Sequence, residues 1–173
     1  MEVKVMNVKK IYFDMDGVLA NFDRGVVELA KTKPQDQLRT TQEEDKILWD
    51  AIRKVDHFYD KLELMDNAKE LFDLVYNKYQ DKCEILTGIP KPHKNILNAG
   101  VDKISWMHRK LSKDIIVNIV YKEQKKDFCT GPDCILIDDL ETNIKSWVEM
   151  GGTGILFHNA KDTISELKKL NIL

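Results

Sequence analysis

Five short apolar segments recur along the chain, and helical patterns separate them. Each segment is a continuous run rich in Ile, Val, Leu, Phe or Tyr, without alternation of apolar and polar residues. Continuous short runs are typical of strands that are covered on both faces, as in a parallel sheet. The runs lie at 10–14, 83–87, 115–120, 134–138 and 154–157.

The segments between these runs have apolar residues at helical spacing. In 67–79, for example, Ala68, Leu71 and Val75 are three and four positions apart, which places them on one face of a helix. Strands that alternate with helices predict an α/β fold with a doubly wound, mainly parallel, Rossmann-like sheet, and with ligands at the carboxyl ends of its strands. The predicted core helices lie at 67–79, 104–111, 143–150 and 160–170.

The alternation is interrupted once, after the first predicted strand. The interruption contains two further helical patterns, at 24–30 and 41–55, joined by the polar stretch KTKPQDQLRTTQEED. Thr40 or Thr41 could cap the second helix, because acidic residues follow within the next few positions.

The interruption divides the chain into two parts. A length of 173 residues fits one domain that carries a small insertion. We interpret residues 24–65 as a helical cap placed over the catalytic edge of the sheet. Residues 1–23 and 66–173 are predicted to form the α/β core.

Charge and cysteine content narrow the class of protein. Lys and Arg total 27 while Asp and Glu total 29, a net charge of −2, so no broad cationic surface is available for duplex nucleic acid. Three cysteines argue against a disulfide framework, and the spacing of Cys129 and Cys134 does not match a zinc site. No apolar run reaches the roughly 18 residues of a membrane span, and the first residues lack a signal-peptide pattern. We therefore expect a cytoplasmic protein without a membrane partner, either a monomer or a homodimer.

Two carboxylates follow the first predicted strand, in the sequence Asp14-Met15-Asp16-Gly17. Carboxylates at the end of a buried strand are costly unless a cation or hydrogen-bond donors compensate them. Mg²⁺ prefers such oxygen ligands and usually binds one or two carboxylates together with phosphate oxygens, while Gly17 permits a sharp turn. Taken alone, the pattern could also be a polar turn or half of a calcium loop, although the later ligands of an EF-hand are missing.

A second acidic pair, Asp138 and Asp139, ends the predicted strand at 134–138. In a parallel sheet this strand end opens on the same edge as Asp14 and Asp16. Four converging acids would repel one another strongly without a divalent ion. The sequence therefore predicts a shared Mg²⁺ site, although Asp139 could instead cap the helix that follows.

The predicted strand at 83–87 ends in Thr87, and Gly88 follows it. A hydroxyl group and free backbone amides at a strand end suit the oxygens of a phosphate group. Thr-Gly is by itself an ordinary exit from a strand, so its value lies in its agreement with the two acidic strand ends.

The motifs DMDGVLA, ILTG and ILIDD, in this order, resemble those of the haloacid-dehalogenase-like (HAD) phosphohydrolases. The resemblance covers most of the chain, and the insertion takes the place of the family's helical cap. Within the superfamily, DMDGVLANF, LTGIP, KISW and LIDD are most similar to the 5'(3')-deoxyribonucleotidases. Gly88 departs from that pattern, because these nucleotidases have a polar residue directly after the threonine. Base and sugar preference therefore stay open.

The resemblance implies a mechanism through an aspartyl-phosphate. Asp14 would be the nucleophile that attacks phosphorus, and Asp16 would protonate the leaving alkoxide and then activate water. Mg²⁺ would be held by the carboxylates of Asp14 and Asp138 and by the backbone carbonyl of Asp16. Asp139 would orient water or the phosphate-binding lysine through a hydrogen bond.

The resemblance also implies a set of phosphate-binding residues. Thr87 and the amide of Gly88 would hold phosphoryl oxygens, and a lysine would neutralise the developing charge. Lys103 is favoured, because it precedes the aromatic Trp106 at the spacing of the nucleotidases. The alternatives are the lysines just before the second acidic strand, which could equally form a solvated loop: Lys122, Lys125 and Lys126.

Aromatic residues in and before the insertion are candidates for substrate contact. Phe22 stands where the resembling nucleotidases place a ring against the base, and a nucleobase offers a flat face for stacking. Trp49, Phe58 and Tyr59 are further candidates, and each could instead belong to the core of the cap.

These motifs together predict a Mg²⁺-dependent phosphomonoesterase whose partner is a small phosphate ester. Nucleoside 5'-monophosphates, and the deoxyribonucleoside forms first, are the leading substrate class. The same chemistry could act on a sugar phosphate or on a polynucleotide 3'-phosphate. A nucleotide-binding module without turnover is the third reading, and intact Asp14 and Asp16 weigh against it.

Overall fold

A computed structural model describes residues 7–35 and 40–173 of the chain. Residues 1–6 belong to the stretch that lacks a signal-peptide pattern, and residues 36–39 belong to the polar connector of the insertion. Both stretches lie outside the described residues. Among the helices of the described part, none has the length and apolar character needed to cross a membrane.

Five strands form one parallel sheet in the order β3-β2-β1-β4-β5. Each predicted strand is present, and its ends lie within one residue of the predicted ends. The α/β, Rossmann-like fold class predicted from the sequence is therefore confirmed. The strands are β1 (Lys10–Phe13), β2 (Cys83–Gly88), β3 (Ile116–Val120), β4 (Cys134–Asp138) and β5 (Thr153–Leu156).

Both faces of the sheet are covered, which explains the continuous apolar runs. Successive residues of a strand point to opposite faces, so Ile11 and Phe13 pack in the larger core cluster while Tyr12 packs in the smaller one. In the smaller cluster the ring of Tyr12 lies edge-on to the Trp147 ring, with 5.6 Å between their centroids. The central strands therefore have apolar residues on both faces, and the buried Glu84 of β2 is accommodated by Lys10 and Asn118.

The helices follow the predicted order, and their ends lie within two residues of the predicted ends, with one exception. The fourth helix begins five residues before the predicted start at 104. Gly100 is a weak helix former, but Ala99 is buried in the core, and this packing extends the helix. The helices are α1 (Phe22–Glu28), α2 (Gln42–Arg53), α3 (Ala68–Tyr79), α4 (Ala99–Lys110), α5 (Glu141–Glu149) and α6 (Ala160–Lys169).

The segment between β1 and α3 carries α1, α2 and a short 3-10 turn at Tyr59–Lys61. Of the two possible caps for α2, the structure has Thr41: the Glu44 N–H donates to Thr41 Oγ1 over 3.2 Å, and the Thr41 N–H donates to the Glu44 carboxylate over 2.8 Å. Ile52 of α2 is fully buried and belongs to the same core cluster as the sheet. The insertion therefore packs on the sheet domain through a continuous apolar contact.

Candidate active site

The carboxyl ends of β1, β2 and β4 bring the three sequence motifs to one edge of the sheet. Phe13 lies opposite Ile137 of β4 and Ile85 of β2, and the Asp14 N–H donates to the Ile137 carbonyl over 2.9 Å. Strand order reverses between β1 and β4, because the chain continues to β2 on one side and later returns on the other. Such a switch point is where open α/β sheets place their ligands.

Three carboxylates converge at this edge. Ligand oxygens of Asp14, Asp138 and Asp139 all lie within 4.8 Å of one another. Asp14 and Asp138 are buried, at 5% and 0% exposure. The side chain of Asp16, which belongs to the same motif, contacts Lys103 instead. The cluster therefore includes the carboxylate of Asp139, for which we had expected a hydrogen-bonding role.

Gly17 allows the two acidic turns to approach each other closely. Its φ of +79° is a backbone conformation that L side chains rarely adopt. A Cβ atom at this position would lie 2.2 Å from Oδ2 of Asp139. The glycine therefore both makes the turn after Asp14 and leaves room for the Asp139 carboxylate.

A buried lysine compensates the acidic cluster. Lys125 Nζ lies 2.8 Å from Asp14 Oδ1 and 2.7 Å from Asp138 Oδ2. Burial alone would lower the pKa of Lys125, but the two carboxylates outweigh burial and raise it, so the ammonium stays charged. Asn143 holds the second partner in place, since its Nδ2 donates to both oxygens of Asp138 at 3.0 Å. Of the three alternative lysines in this stretch, Lys125 is thus the one that contacts the acidic cluster, while Lys122 lines the cavity above it.

A second buried lysine, Lys103, holds the other acidic side chain. Its Nζ donates to Asp16 Oδ2 over 2.6 Å, to Thr87 Oγ1 over 3.0 Å and to the Gly88 carbonyl over 2.6 Å. The Tyr59 ring covers it, with 4.5 Å between Nζ and the ring centroid. Oδ1 of Asp16 is buried and has no hydrogen-bond partner within the described residues.

The acidic cluster carries more negative charge than the lysines balance. Burial, followed by the charges of Asp138 and Asp16, raises the pKa of Asp14 to about 7 even though Lys125 lowers it. Burial and the neighbouring Asp14 and Asp138 raise the pKa of Asp139 to about 8. Carboxyl groups with raised pKa values in a cleft are a mark of functional sites. A divalent cation among these oxygens would favour the charged forms.

A cavity of about 290 Å³ opens above the cluster. Asp14, Asp16, Gly88 and Asp139 line its floor, whereas Thr87, Lys103 and Asp138 lie behind the lining residues. Its volume is near the lower end of the roughly 300–1,000 Å³ that is typical of small-molecule sites. The cavity therefore reaches the nucleophile candidate directly.

Three of the four aromatic candidates line this cavity: Phe22, Trp49 and Tyr59. Phe58 does not line it; its buried ring packs edge-on behind Phe22, at a centroid distance of 5.6 Å. Trp49 is fixed by a hydrogen bond from its Nε1 to Asp45, which in turn pairs with Lys94. The aromatic wall is therefore supported from the insertion and from the segment after β2.

Sequence reasoning missed the contacts that fix α4 against the insertion. His57 Nδ1 lies 2.7 Å from Oδ1 of the buried Asp102, and the Trp106 indole donates to the Leu62 carbonyl over 2.8 Å. Asp102 directly precedes Lys103. No motif could reveal these pairs, since their members are more than 40 positions apart.

The His57–Asp102 contact gives a pH prediction. The hydrogen bond that His57 donates to Asp102, together with the charge of that carboxylate, raises the pKa of His57 above the ordinary 6.5. A raised histidine pKa means that the contact stabilises the fold below about pH 6.5 and that this contribution is lost as pH rises through the pKa of His57. Nuclear magnetic resonance titration should give a His57 pKa above 6.5 that falls toward 6.5 in Asp102→Asn. The same change at the exposed Asp114 should leave the raised pKa of His57 unchanged. A wild-type His57 pKa at or below 6.5 would refute the contact.

No protein-family model and no curated protein matches the sequence. Solved structures do match. A HAD-superfamily hydrolase from Ehrlichia chaffeensis has a TM-score of 0.57 and 16% identity, over 96% of this chain and 98% of that one. A hydrolase from Streptococcus pneumoniae has a TM-score of 0.53 and 11% identity, over 94% and 100%. A hydrolase from Pseudomonas syringae has a TM-score of 0.52 and 15% identity, over 95% and 91%. The parallel sheet thus has the HAD-like Rossmann fold of the Ehrlichia chaffeensis hydrolase.

Proposed function

We propose that this chain is a Mg²⁺-dependent phosphomonoesterase that acts on nucleoside 5'-monophosphates, and on the deoxyribonucleoside forms first. The observation that carries the proposal is the placement of Asp14. It is a buried carboxylate at the floor of a cavity, bridged to Asp138 by Lys125 and close to a second acid with one unpartnered oxygen. The nucleophile Asp14, the acid Asp16 and the ammonium group of Lys125 then surround one point where a phosphoryl group can bind.

The proposed reaction has two displacements at phosphorus. Asp14 attacks, an aspartyl-phosphate bond forms, and the ester bond to the alcohol breaks. Asp16 gives its proton to the leaving alkoxide, then takes a proton from the water that attacks the intermediate. This second attack releases inorganic phosphate and restores the Asp14 carboxylate. The unpartnered Oδ1 of Asp16 is the oxygen available for that proton.

The donor set of the site fits Mg²⁺. Three carboxylates offer oxygens within 4.8 Å of one another, and Mg²⁺ favours carboxylate and phosphate oxygens. The raised pKa values of Asp14 and Asp139 fit as well, because burial and neighbouring negative charge, the causes of the shift, both disfavour ionised carboxylates that a cation would stabilise. Asp14, Asp138 and the backbone carbonyl of Asp16 would hold the ion, with Asp139 close by. When bound, Mg²⁺ would neutralise charge on the phosphoryl oxygens.

The two lysines take different parts in this proposal. Lys125, which contacts Asp14, would neutralise the phosphoryl group during transfer. Lys103 would hold the Asp16 carboxylate and orient Thr87, whose hydroxyl and following amide are suited to phosphoryl oxygens. The choice made from the sequence was a single lysine, Lys103; the proposal uses both.

The insertion supplies the proposed leaving-group pocket. We infer that residues 24–65 act as a cap, because Leu48, Trp49 and Tyr59 from this stretch line the cavity opposite the sheet edge. The partly exposed rings of Trp49 and Phe22 offer flat apolar surface for a nucleobase. A cavity of about 290 Å³ suits a small ester better than a polynucleotide end.

A phosphate-release assay tests this function. The purified protein is given deoxyribonucleoside and ribonucleoside 5'-monophosphates, glucose 6-phosphate and a 3'-phosphorylated oligonucleotide. We expect release from the 5'-nucleotides with Mg²⁺, none with EDTA, and recovery when Mg²⁺ is added back. In Phe22→Leu, kcat/KM should fall roughly tenfold or more for the nucleotides, the scale of one lost base-stacking contact.

Glucose 6-phosphate serves as the internal control, because it has no base to stack and its turnover should change much less in Phe22→Leu. Preference for a sugar phosphate or for the oligonucleotide would replace the nucleotide assignment while leaving the phosphatase chemistry intact. Nucleotide binding with no release from any compound would favour a module without turnover.

A further inference from the structure

A second groove, of about 320 Å³, adjoins the cavity that contains Asp14. It lies between the 3-10 segment Lys122–Phe128 and the start of α5. Lys122, Lys125 and Asn143 line both volumes, so the groove is continuous with the candidate active site. The proposed hydrolysis involves one phosphoryl group and needs none of the groove residues that lie outside the main cavity.

The groove has a buried polar floor and cationic walls. Lys125 and Asn143 are 3% and 7% exposed, so they form a fixed base. Lys122 and Lys126 are exposed on one wall. On the other wall Thr142 and Ser146 are four positions apart in α5 and so share one face of the helix. Ammonium and hydroxyl groups are the donors that phosphate oxygens accept.

The balance of charge in the groove is positive. Its one acid, Glu123, pairs with Lys91, which lies outside the groove. Lys125 is balanced by Asp14 and Asp138. Within the described part of the chain, the ammonium groups of Lys122 and Lys126 form no hydrogen bond or ion pair, and only the neighbouring Glu123, already paired with Lys91, acts on Lys122 through its charge.

The far wall of the main cavity has the opposite character. Asp23 and Asp45 line it; Asp45 pairs with Lys94, but Asp23 has no ion pair within the described residues, and its charge would repel a second anionic group placed there. A ligand with two anionic groups is therefore accommodated with one at Asp14 and the other toward Lys122 and Lys126.

We propose that this groove binds a phosphate group next to the reacting one. The group is either the second phosphate of a substrate such as a nucleoside 3',5'-bisphosphate, or free inorganic phosphate. The first source rests on the proposed function and extends its substrate class from monophosphates to bisphosphates. In both cases Lys126 is the diagnostic residue, because it lines the groove and not the main cavity.

Equilibrium binding without turnover separates this proposal from the catalytic one. Thymidine 3',5'-bisphosphate and thymidine 5'-monophosphate are titrated by calorimetry into Asp14→Asn, alone and combined with Lys126→Gln or Lys122→Gln/Lys126→Gln. The bisphosphate should bind at least about tenfold more tightly, since charge-assisted hydrogen bonds are strong. This advantage should shrink in Lys126→Gln and disappear in the double variant. Lys113→Gln removes the same charge at an exposed site outside the groove and should preserve it.

Titration with inorganic phosphate tests whether the groove binds the free ion. If it shifts the amide resonances of Thr142 and Ser146, and Lys126→Gln weakens that response, the groove binds phosphate even when the bisphosphate has no advantage. Equal affinity for the two nucleotides together with no response to phosphate would overturn the proposal, as would an advantage that survives the double variant. Failure of wild-type phosphate release would count against the phosphatase function alone, because these titrations need no turnover.

Discussion

Replacing Asp14 with asparagine is expected to lower phosphate release on the order of 10³-fold or more. Asparagine keeps the shape of the side chain but cannot form the acyl phosphate, and loss of the nucleophile in a covalent mechanism removes most of the rate enhancement. The Asp14 carboxylate lies on the cavity floor, 2.8 Å from Lys125. Phosphate release from the best nucleotide of the panel, with Mg²⁺ present, measures the effect.

Two controls separate chemistry from folding. Asp114→Asn makes the same chemical change at an exposed acid outside the cavity, and it should keep wild-type activity. Fluorine nuclear magnetic resonance spectra of the protein with beryllium fluoride and Mg²⁺ give a readout that needs no turnover. A signal from a bound phosphoryl mimic should appear in the wild type and be absent in Asp14→Asn. Wild-type activity in a folded Asp14→Asn protein would exclude Asp14 as the nucleophile.

The fold was predictable because its signals are local. The run ending at Ile137 has no polar residue until Asp138, and both faces of β4 are buried in the structure. Such a run favours a central parallel strand without any knowledge of its neighbours. The acidic edge followed from the same reasoning, since parallel strands bring their carboxyl ends together. The start of α4 did not follow, because packing of Ala99 outweighs the local preference of Gly100.

The choice between lysines was beyond the sequence. Lys103 and Lys125 stand in stretches with other charged residues, and local composition does not separate a buried lysine from a solvated one. Burial is decided by partners far away in the chain: Asp16 is 87 positions from Lys103, and Asp14 is still farther in sequence from Lys125. For the same reason the sequence could not predict which aromatic candidates line the cavity. Phe58 packs inward against Phe22, while Tyr59 beside it faces the cavity and covers Lys103.

Lys125→Met is expected to be the most destabilising single change at the site. Methionine fills a similar volume, but the change leaves the carboxylates of Asp14 and Asp138 buried without their ammonium partner. Breaking a buried pair by removing one member costs about 3–5 kcal/mol of unfolding free energy. Denaturant unfolding in EDTA at pH 9 measures this cost, because Asp14, whose pKa is raised to about 7 even beside Lys125, is charged only at higher pH. Lys126→Met, one residue away at an exposed position, should change the unfolding free energy by less than about 0.5 kcal/mol.

The cause of that loss can be tested by restoring charge balance in two ways. Asp14→Asn removes one of the two buried charges, so Lys125→Met should cost less in the Asp14→Asn background than in the wild type, a non-additivity expected for residues in contact. Mg²⁺ bound among the remaining carboxylates would supply the missing positive charge, and stability of Lys125→Met should rise with Mg²⁺ more than that of the wild type. A cost that is additive with Asp14→Asn and indifferent to Mg²⁺ would mean that Lys125 acts through packing alone. The charge balance at Asp14, on which the proposed phosphoryl transfer depends, would then need a different partner.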